Sequence, residues 1–340
     1  KEGDSGIFKE LMATVMKNKE YSKVINLMFD GAFYSAKNPI LDENVARQLY
    51  GNKENIGITR LERFAACAYS QFLNNGLKLG ERKKFELAAF DIGNLYHSAI
   101  KDFFDTINTN NIKWADLDDK KSENIINDSI EKVMEQYEND ALNDIARSAF
   151  IKKQVKDTST ETVNALVKHI RSGNFLPREY ELRIAHGRVD RVDTFEDGNN
   201  IYVKVIDYKS GNKVFNVTET FLGLQMQLMV YLKDTVDYIK KNNPDKNVYP
   251  AAGLYFHVYD PYVSEIDCEK AVSDFRKNNP DSELSDEELK KMAIEGERFK
   301  AYRMSGLVAK EIEIVNAMDH NTITKTGSSA ILPVNITKSG

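Results

Sequence analysis

Apolar residues along the first part of the chain recur at helical intervals. Ile7, Leu11 and Val15, then Ile25, Leu27 and Met28, give residues 5 to about 48 a loose helical periodicity. The polar, glycine-bearing stretch Gly51-Asn-Lys-Glu-Asn-Ile-Gly57 reads as a linker. Thr59-Arg60-Leu61-Glu62 then fits a capping box, in which the threonine hydroxyl accepts from a backbone amide of the first turn and Glu62 reaches back. Ile92, Leu95, Tyr96, Ala99, Ile100 and Phe103, three and four apart, predict a second helix. From Asp116 to about Arg171 the chain is charged and helical in pattern, with a narrow apolar stripe at Ile126, Ile130, Val133 and Met134. Gly173 stands where a helix C-terminus is expected.

The pattern changes after Pro177. Residues 179–194 and 201–209 are rich in β-branched and aromatic residues, and Glu196-Asp-Gly-Asn-Asn200 lies between them. This predicts a strand, a turn and a strand. A strongly apolar helix is expected from Phe221 to Leu232, then a strand-like run Gly253-Leu-Tyr-Phe-His-Val-Tyr259, then a charged helix over residues 280–300. The last twenty residues show no clear pattern. No internal repeat or low-complexity tract is visible.

Composition narrows this picture only a little. Hydrophobic residues at 41% and charged residues at 29% suit one globular core with a helical attachment. No window approaches 18 uninterrupted apolar residues, so no membrane partner is expected. The chain starts at Lys1 without a secretion signal, and we expect a piece of something longer. Cys67 and Cys268 are too few for a disulfide framework and suit a reducing cytoplasm. A net charge of −5 means that any DNA partner needs a local basic groove, for which Lys78, Arg82, Lys83 and Lys84, and Lys204, Lys209 and Lys213, are candidates.

Candidate chemistry concentrates in Gly187-Arg-Val-Asp190-Arg-Val-Asp193 and Val203-Lys-Val-Ile-Asp207-Tyr-Lys209. Alternate residues of a strand share a face, so Asp207 and Lys209 project beyond Ile201, Val203 and Val205. Across the hairpin, Asp190 can bring a second carboxylate close to Asp207. A divalent cation relieves the repulsion of two carboxylates, and hard oxygen ligands suit Mg2+ or Mn2+. The pattern alone also fits a surface hairpin with ordinary ion pairs among Arg188, Asp190, Arg191, Asp193, Asp207 and Lys209. Elsewhere, His97 flanks an apolar helical stripe one turn after Gly93, which permits close approach. Gln227 and Tyr231 lie four apart on one helix face, with Gln225 on another. No Gly-x-x-x-x-Gly-Lys-Ser/Thr loop for ATP is present.

The order His97, Asp190 within Gly-Arg-x-Asp, Asp207-Tyr-Lys209 and Gln227-x-x-x-Tyr231 resembles the RecB-like branch of the PD-(D/E)xK nucleases. Ile58-Thr-Arg-Leu-Glu-Arg-Phe-Ala-Ala-Cys67, Gly76-Leu-Lys-Leu-Gly-Glu-Arg82, Asp91-Ile-Gly-Asn-Leu-Tyr-His97 and Gly223-Leu-Gln-Met-Gln-Leu-Met-Val-Tyr-Leu232 look like the AddB-type members of that branch over roughly residues 56–260. The resemblance implies an α/β, restriction-endonuclease-like core, a central mixed sheet flanked by helices. It divides the chain into a helical lead-in (1–50), a nuclease domain (56–320, helical over 58–172, with the catalytic hairpin and sheet at 178–260) and a truncated tail (321–340).

The same resemblance implies that His97, Asp190, Asp207 and the backbone carbonyl of Tyr208 hold Mg2+ or Mn2+, that Lys209 is the catalytic lysine, and that Gln227 and Tyr231 line the DNA strand. Glu179 or Glu181 takes part in the family manner. The implied activity is exonucleolytic cutting of DNA as it is unwound, during resection of double-strand breaks for recombinational repair, beside an AddA-type helicase–nuclease partner. A stand-alone exonuclease, or a silent DNA-binding scaffold of the same fold, are the alternatives. AddB-type domains resemble one another in a 4Fe-4S cluster held by one early and three late cysteines. Cys67 matches the first, but the chain stops at Gly340 before such a triplet, which we read as truncation, so the cluster cannot form here. Cys67 is then expected to be a small buried apolar residue.

Overall fold

A computed structural model describes residues 4–34, 40–51, 56–80, 89–136, 145–280, 284–322 and 327–336. The chain forms two compact units, residues 1–52 and 53–340. The first consists of helices α1 (Asp4–Met16), α2 (Lys19–Ala32) and α3 (Glu43–Tyr50). Residues 52–55 of the expected linker lie outside the described residues, as do Arg82, Lys83 and Lys84.

The second unit begins with α4 (Ile58–Ala66) and the single turn α5 (Ala68–Gln71), followed by α6 (Ala89–Thr109), α7 (Asp119–Gln136) and α8 (Ile145–Arg171). Strands β1 (Leu176–Ile184), β2 (Gly187–Asp197) and β3 (Asn200–Lys209) come next. Then follow α9 (Val217–Phe221), α10 (Gln227–Asn242), β4 (Asn247–His257), α11 (Glu265–Asn278), α12 (Asp286–Ala301), β5 (Ser305–Val308) and α13 (Ile312–Met318). Two short strands, β6 (Gly327–Ser328) and β7 (Asn335–Ile336), pair in the otherwise unpatterned tail, where Ile331 and Leu332 are buried.

The sheet runs β1-β2-β3-β4-β5, antiparallel except that β3 and β4 are parallel. A parallel pair needs a crossover, and α9 and α10 supply it. Strand β3 is central and covered on both faces, hence its nearly continuous apolar run. Ile201, Val203 and Val205 pack with Leu232 and Ile239 of α10, while Ile206 and Tyr208 join the larger core of α6, α7 and α8. This is the expected mixed sheet flanked by helices, a restriction-endonuclease-like α/β fold. Each fully buried aliphatic side chain in it contributes about 1.5–3 kcal/mol.

Several local expectations need correction. Residues 179–194 are two strands, which turn at Ala185-His186. That turn is set by tertiary contacts: Asp234 of α10 accepts from the His186 backbone and sits 2.7 Å from its Nδ1, while Ile58 N–H donates to the His186 carbonyl. The capping box is absent. Gly57 is the N-cap without a side-chain bond, Thr59 lies inside α4, and the Glu62 carboxylate instead accepts from the backbone N–H of Gln227 at 2.9 Å. The helix expected over Phe221–Leu232 breaks at Gly223, whose φ of +77° a side chain rarely adopts, and restarts at Gln227.

Candidate active site

The β2–β3 turn fixes the register that builds the site. Asp197 pairs with Asn200 around Gly198, whose φ is +57°, and the ladder continues to Arg191 opposite Ile206. One step further places Asp190 opposite Asp207, on the face of Ile201, Val203 and Val205. The Asp190 carboxylate takes over the ladder there, accepting from the backbone N–H of Tyr208 at 2.7 Å. On the other side, β1 pairs Tyr180 with Arg191 and Leu182 with Val189, so Glu181 stands across from Asp190. Glu179 faces Val192. Glu181 has φ of +51°, a left-handed conformation that costs about 1–3 kcal/mol in a non-glycine residue.

Helix α6 brings His97 from the flank. Its Nδ1 lies 3.3 Å from Asp190 Oδ1, and its ring meets the edge of Tyr208 with centroids 5.9 Å apart. Gly93, one turn earlier, allows this approach: a Cβ there would lie 3.2 Å from Ser210 Oγ, the residue after Lys209. One ligand atom each from His97, Glu181 and Asp190 falls within 4.8 Å of the others. Asp207 is outside that trio, its carboxylate drawn to an ion pair with Lys209. Lys209 Nζ also lies over the ring of Tyr255, the register partner of Asp207, at 5.5 Å.

The electrostatics follow from burial. Asp207 is 2% exposed, and burial together with the charge of Asp190 pushes its carboxyl up to about 6, against the pull of Lys209 and His97. Burial and Asp190 likewise raise Glu181, with Arg188, 2.5 Å away, opposing. Burial works against a charged His97, but Asp190, Asp207 and Glu181 outweigh it and raise its pKa. Asp207 Oδ2 and Glu181 Oε2 are buried, and each faces a single cationic side chain, Lys209 and Arg188 respectively. Carboxylate oxygens of Glu181 and Asp190 gathered within 4.8 Å of one another beside an imidazole fit a hard divalent cation.

The remaining expected residues divide. Gln227 opens α10, and Tyr231 lies one turn on, its hydroxyl raised in pKa by burial and by the charge of Asp207. Glycine at 187 is required by that tyrosine, because a Cβ there would lie 2.6 Å from its hydroxyl. Gln225 is buried and structural: it accepts from Asn216 N–H and donates to the Val214 carbonyl, fixing the segment after β3. Lys204 belongs to no groove, being 4% exposed and paired with Asp193 at 2.9 Å. Cys67 is exposed rather than buried, its sulfur accepting from Ser70 N–H at the start of α5. With Cys268 as the other cysteine, these 340 residues do not offer the four thiolates of an iron–sulfur cluster.

A mixed sheet flanked by helices, with carboxylates and a lysine gathered at the end of its central strands, is the architecture of PD-(D/E)XK nuclease folds. The chain belongs to the PD-(D/E)XK nuclease superfamily, which it matches over residues 55–317. It is similar to an ATP-dependent helicase/deoxyribonuclease subunit of Clostridioides difficile (strain 630), 29% identical over 357 residues that cover 99% of this chain and 29% of that protein. The same-named protein of Alkaliphilus oremlandii (strain OhILAs) is 31% identical, with 93% and 27% covered. The chain therefore spans a little over a quarter of the length of these curated relatives.

Proposed function

We propose that this chain is the divalent-metal-dependent deoxyribonuclease domain of a bacterial, cytoplasmic helicase–nuclease, and that it works as an exonuclease in double-strand-break resection beside an AddA-type helicase–nuclease partner. The observation that carries this reading is the meeting of Glu181, Asp190 and Asp207 with His97 and Lys209 at one end of the sheet.

Asp190, Asp207, His97 and the Tyr208 carbonyl would hold Mg2+ or Mn2+, with Glu181 as a further oxygen donor. When bound, such an ion polarises a phosphodiester oxygen and acidifies a water. Lys209 places its ammonium where charge develops on the phosphoryl oxygens and orients the attacking water. Tyr231 and Gln227 position the DNA strand from α10. No step needs an iron–sulfur cluster, and the cysteines present supply none. Linear single-stranded DNA is expected to be cut with Mg2+ or Mn2+ and left intact with EDTA. Cleavage that survives EDTA would refute the reading.

Lys213 extends the site. Its Nζ lies over Tyr255 at 5.4 Å, sharing that ring with Lys209, and it pairs with no carboxylate among the described residues. We infer that it contacts a phosphate of the bound strand. Lys213→Ala is expected to raise KM several-fold at unchanged kcat and to flatten the log–log salt dependence of single-strand affinity by about 0.7. An unmoved KM together with an unmoved slope would place Lys213 outside the DNA path.

A further inference from the structure

Behind the acidic site lies a second cluster, for which the chemistry above has no use. Arg191, Asp193 and Lys204 are 1%, 0% and 4% exposed. Arg191 grips Asp193 with Nε and Nη2 at 2.7 and 2.8 Å, and Asp193 also takes Lys204 from the facing position of β3. Taking three charges out of water costs several kcal/mol per ion, and apolar side chains of similar volume usually serve stability as well or better. Stability alone therefore does not account for the cluster. What it can supply is geometry.

Arg191 touches or faces each of the four elements that carry a proposed metal ligand. It follows Asp190 on β2 and projects to the opposite face. Its Nη1 lies 3.4 Å from the hydroxyl of Tyr208, the neighbour of Asp207 on β3, whose own N–H holds Asp190. Its guanidinium lies over Phe104, two turns along α6 from His97, at 5.3 Å. It is the register partner of Tyr180, the neighbour of Glu181 on β1, and the Tyr180 ring stacks on Phe104 at 4.7 Å. Asp190, Asp207, Glu181 and His97 in front thus have Arg191, Tyr208, Tyr180 and Phe104 behind them.

We infer that Arg191, fixed by Asp193 and Lys204, is a positioning residue that holds β1, β2, β3 and α6 in the arrangement a divalent cation requires. The inference rests on the proposed metal site. A planar fork with several donors can bind two partners while its face lies on a ring, which a lysine cannot reproduce.

The test is Mn2+ binding by calorimetry and electron paramagnetic resonance, with cleavage kinetics. The triple variant Arg191→Met/Asp193→Leu/Lys204→Met leaves no orphaned charge and is expected to melt cooperatively. Its Mn2+ Kd should rise, and its kcat fall, by about 10–100-fold, the usual effect of losing a group that orients metal ligands. KM for DNA should stay near the parent value. Arg191→Lys keeps the charge and is expected to lose about tenfold in Mn2+ affinity, which decides the matter should the triple variant not fold. Parent-like Kd and kcat in a folded variant would overturn the inference while leaving the metal site standing. Parent protein whose Mn2+ binding is absent, or insensitive to Asp207→Ala, would overturn the proposed function and this inference with it.

Discussion

Asp207→Asn is expected to reduce metal-dependent cleavage by about a thousandfold or more while making the metal-free protein more stable. The activity loss follows, on the proposed function, from removing a charged metal ligand at the point where transition-state charge must be stabilised. The stability gain follows from the pKa. A carboxyl whose ordinary value is 3.8 and whose folded value is about 6 binds its proton more tightly in the fold. Stability therefore falls as pH rises from the lower value to the higher, and above 6 the ionised side chain opposes folding by as much as ~3 kcal/mol. Asparagine keeps the shape and discards that charge. Urea denaturation in EDTA at pH 7.5 should show the variant with the higher midpoint, and added Mn2+ should then favour the parent. A variant less stable than the parent in EDTA would mean that the Lys209 ion pair outweighs burial, and that Asp207 is built for structure.

The parts of the site legible in the chain are those written in local periodicity. Asp197-Gly198 announced the β2–β3 turn, and from that turn the alternation of strand faces put Asp207 and Lys209 beyond Val205, with Asp190 across from them. The glycine one turn before His97 marked a close approach, which proved to be to Ser210. What stayed hidden depends on distant partners or strained backbone. That Glu181 rather than Glu179 stands across from Asp190 is a matter of β1–β2 register, and its left-handed backbone in mid-strand has no local signal. The turn at Ala185-His186 has neither glycine nor proline at its centre and is held by Asp234, 48 residues away. Glu62 looked like a local cap because its real donor, the Gln227 amide, lies 165 residues along the chain. Lys204 read as a surface cation because burial of a lysine requires a partner that strand pairing alone brings near.

The charges behind the sheet have one more consequence, at His169 in the last turn of α8. The imidazole is buried between the edges of Phe256 and Phe299, at centroid distances of 5.4 and 5.3 Å, and neither ring nitrogen has a hydrogen-bond partner. Burial, and then the positive charges of Lys204 and Arg191, lower its pKa from 6.5 to about 3. A base depressed in the fold is protonated first in the unfolded chain. Its contribution is thus fully present above pH 6.5 and is lost by about 1.4 kcal/mol per pH unit as pH falls towards 3. At pH 4.5, two units below the unfolded value, the parent protein should have lost close to ~3 kcal/mol through this residue alone. His169→Leu removes the titration together with two unpartnered polar atoms. It is expected to match or exceed the parent in stability at pH 7.5, and to exceed it by about 2–3 kcal/mol more at pH 4.5, since all other titrating groups are common to both proteins. Denaturation curves at the two pH values measure this double difference directly. An equal gap at both would show that His169 finds a proton-accepting partner in the folded state, and that the positive cluster beside it exerts no field on its ring.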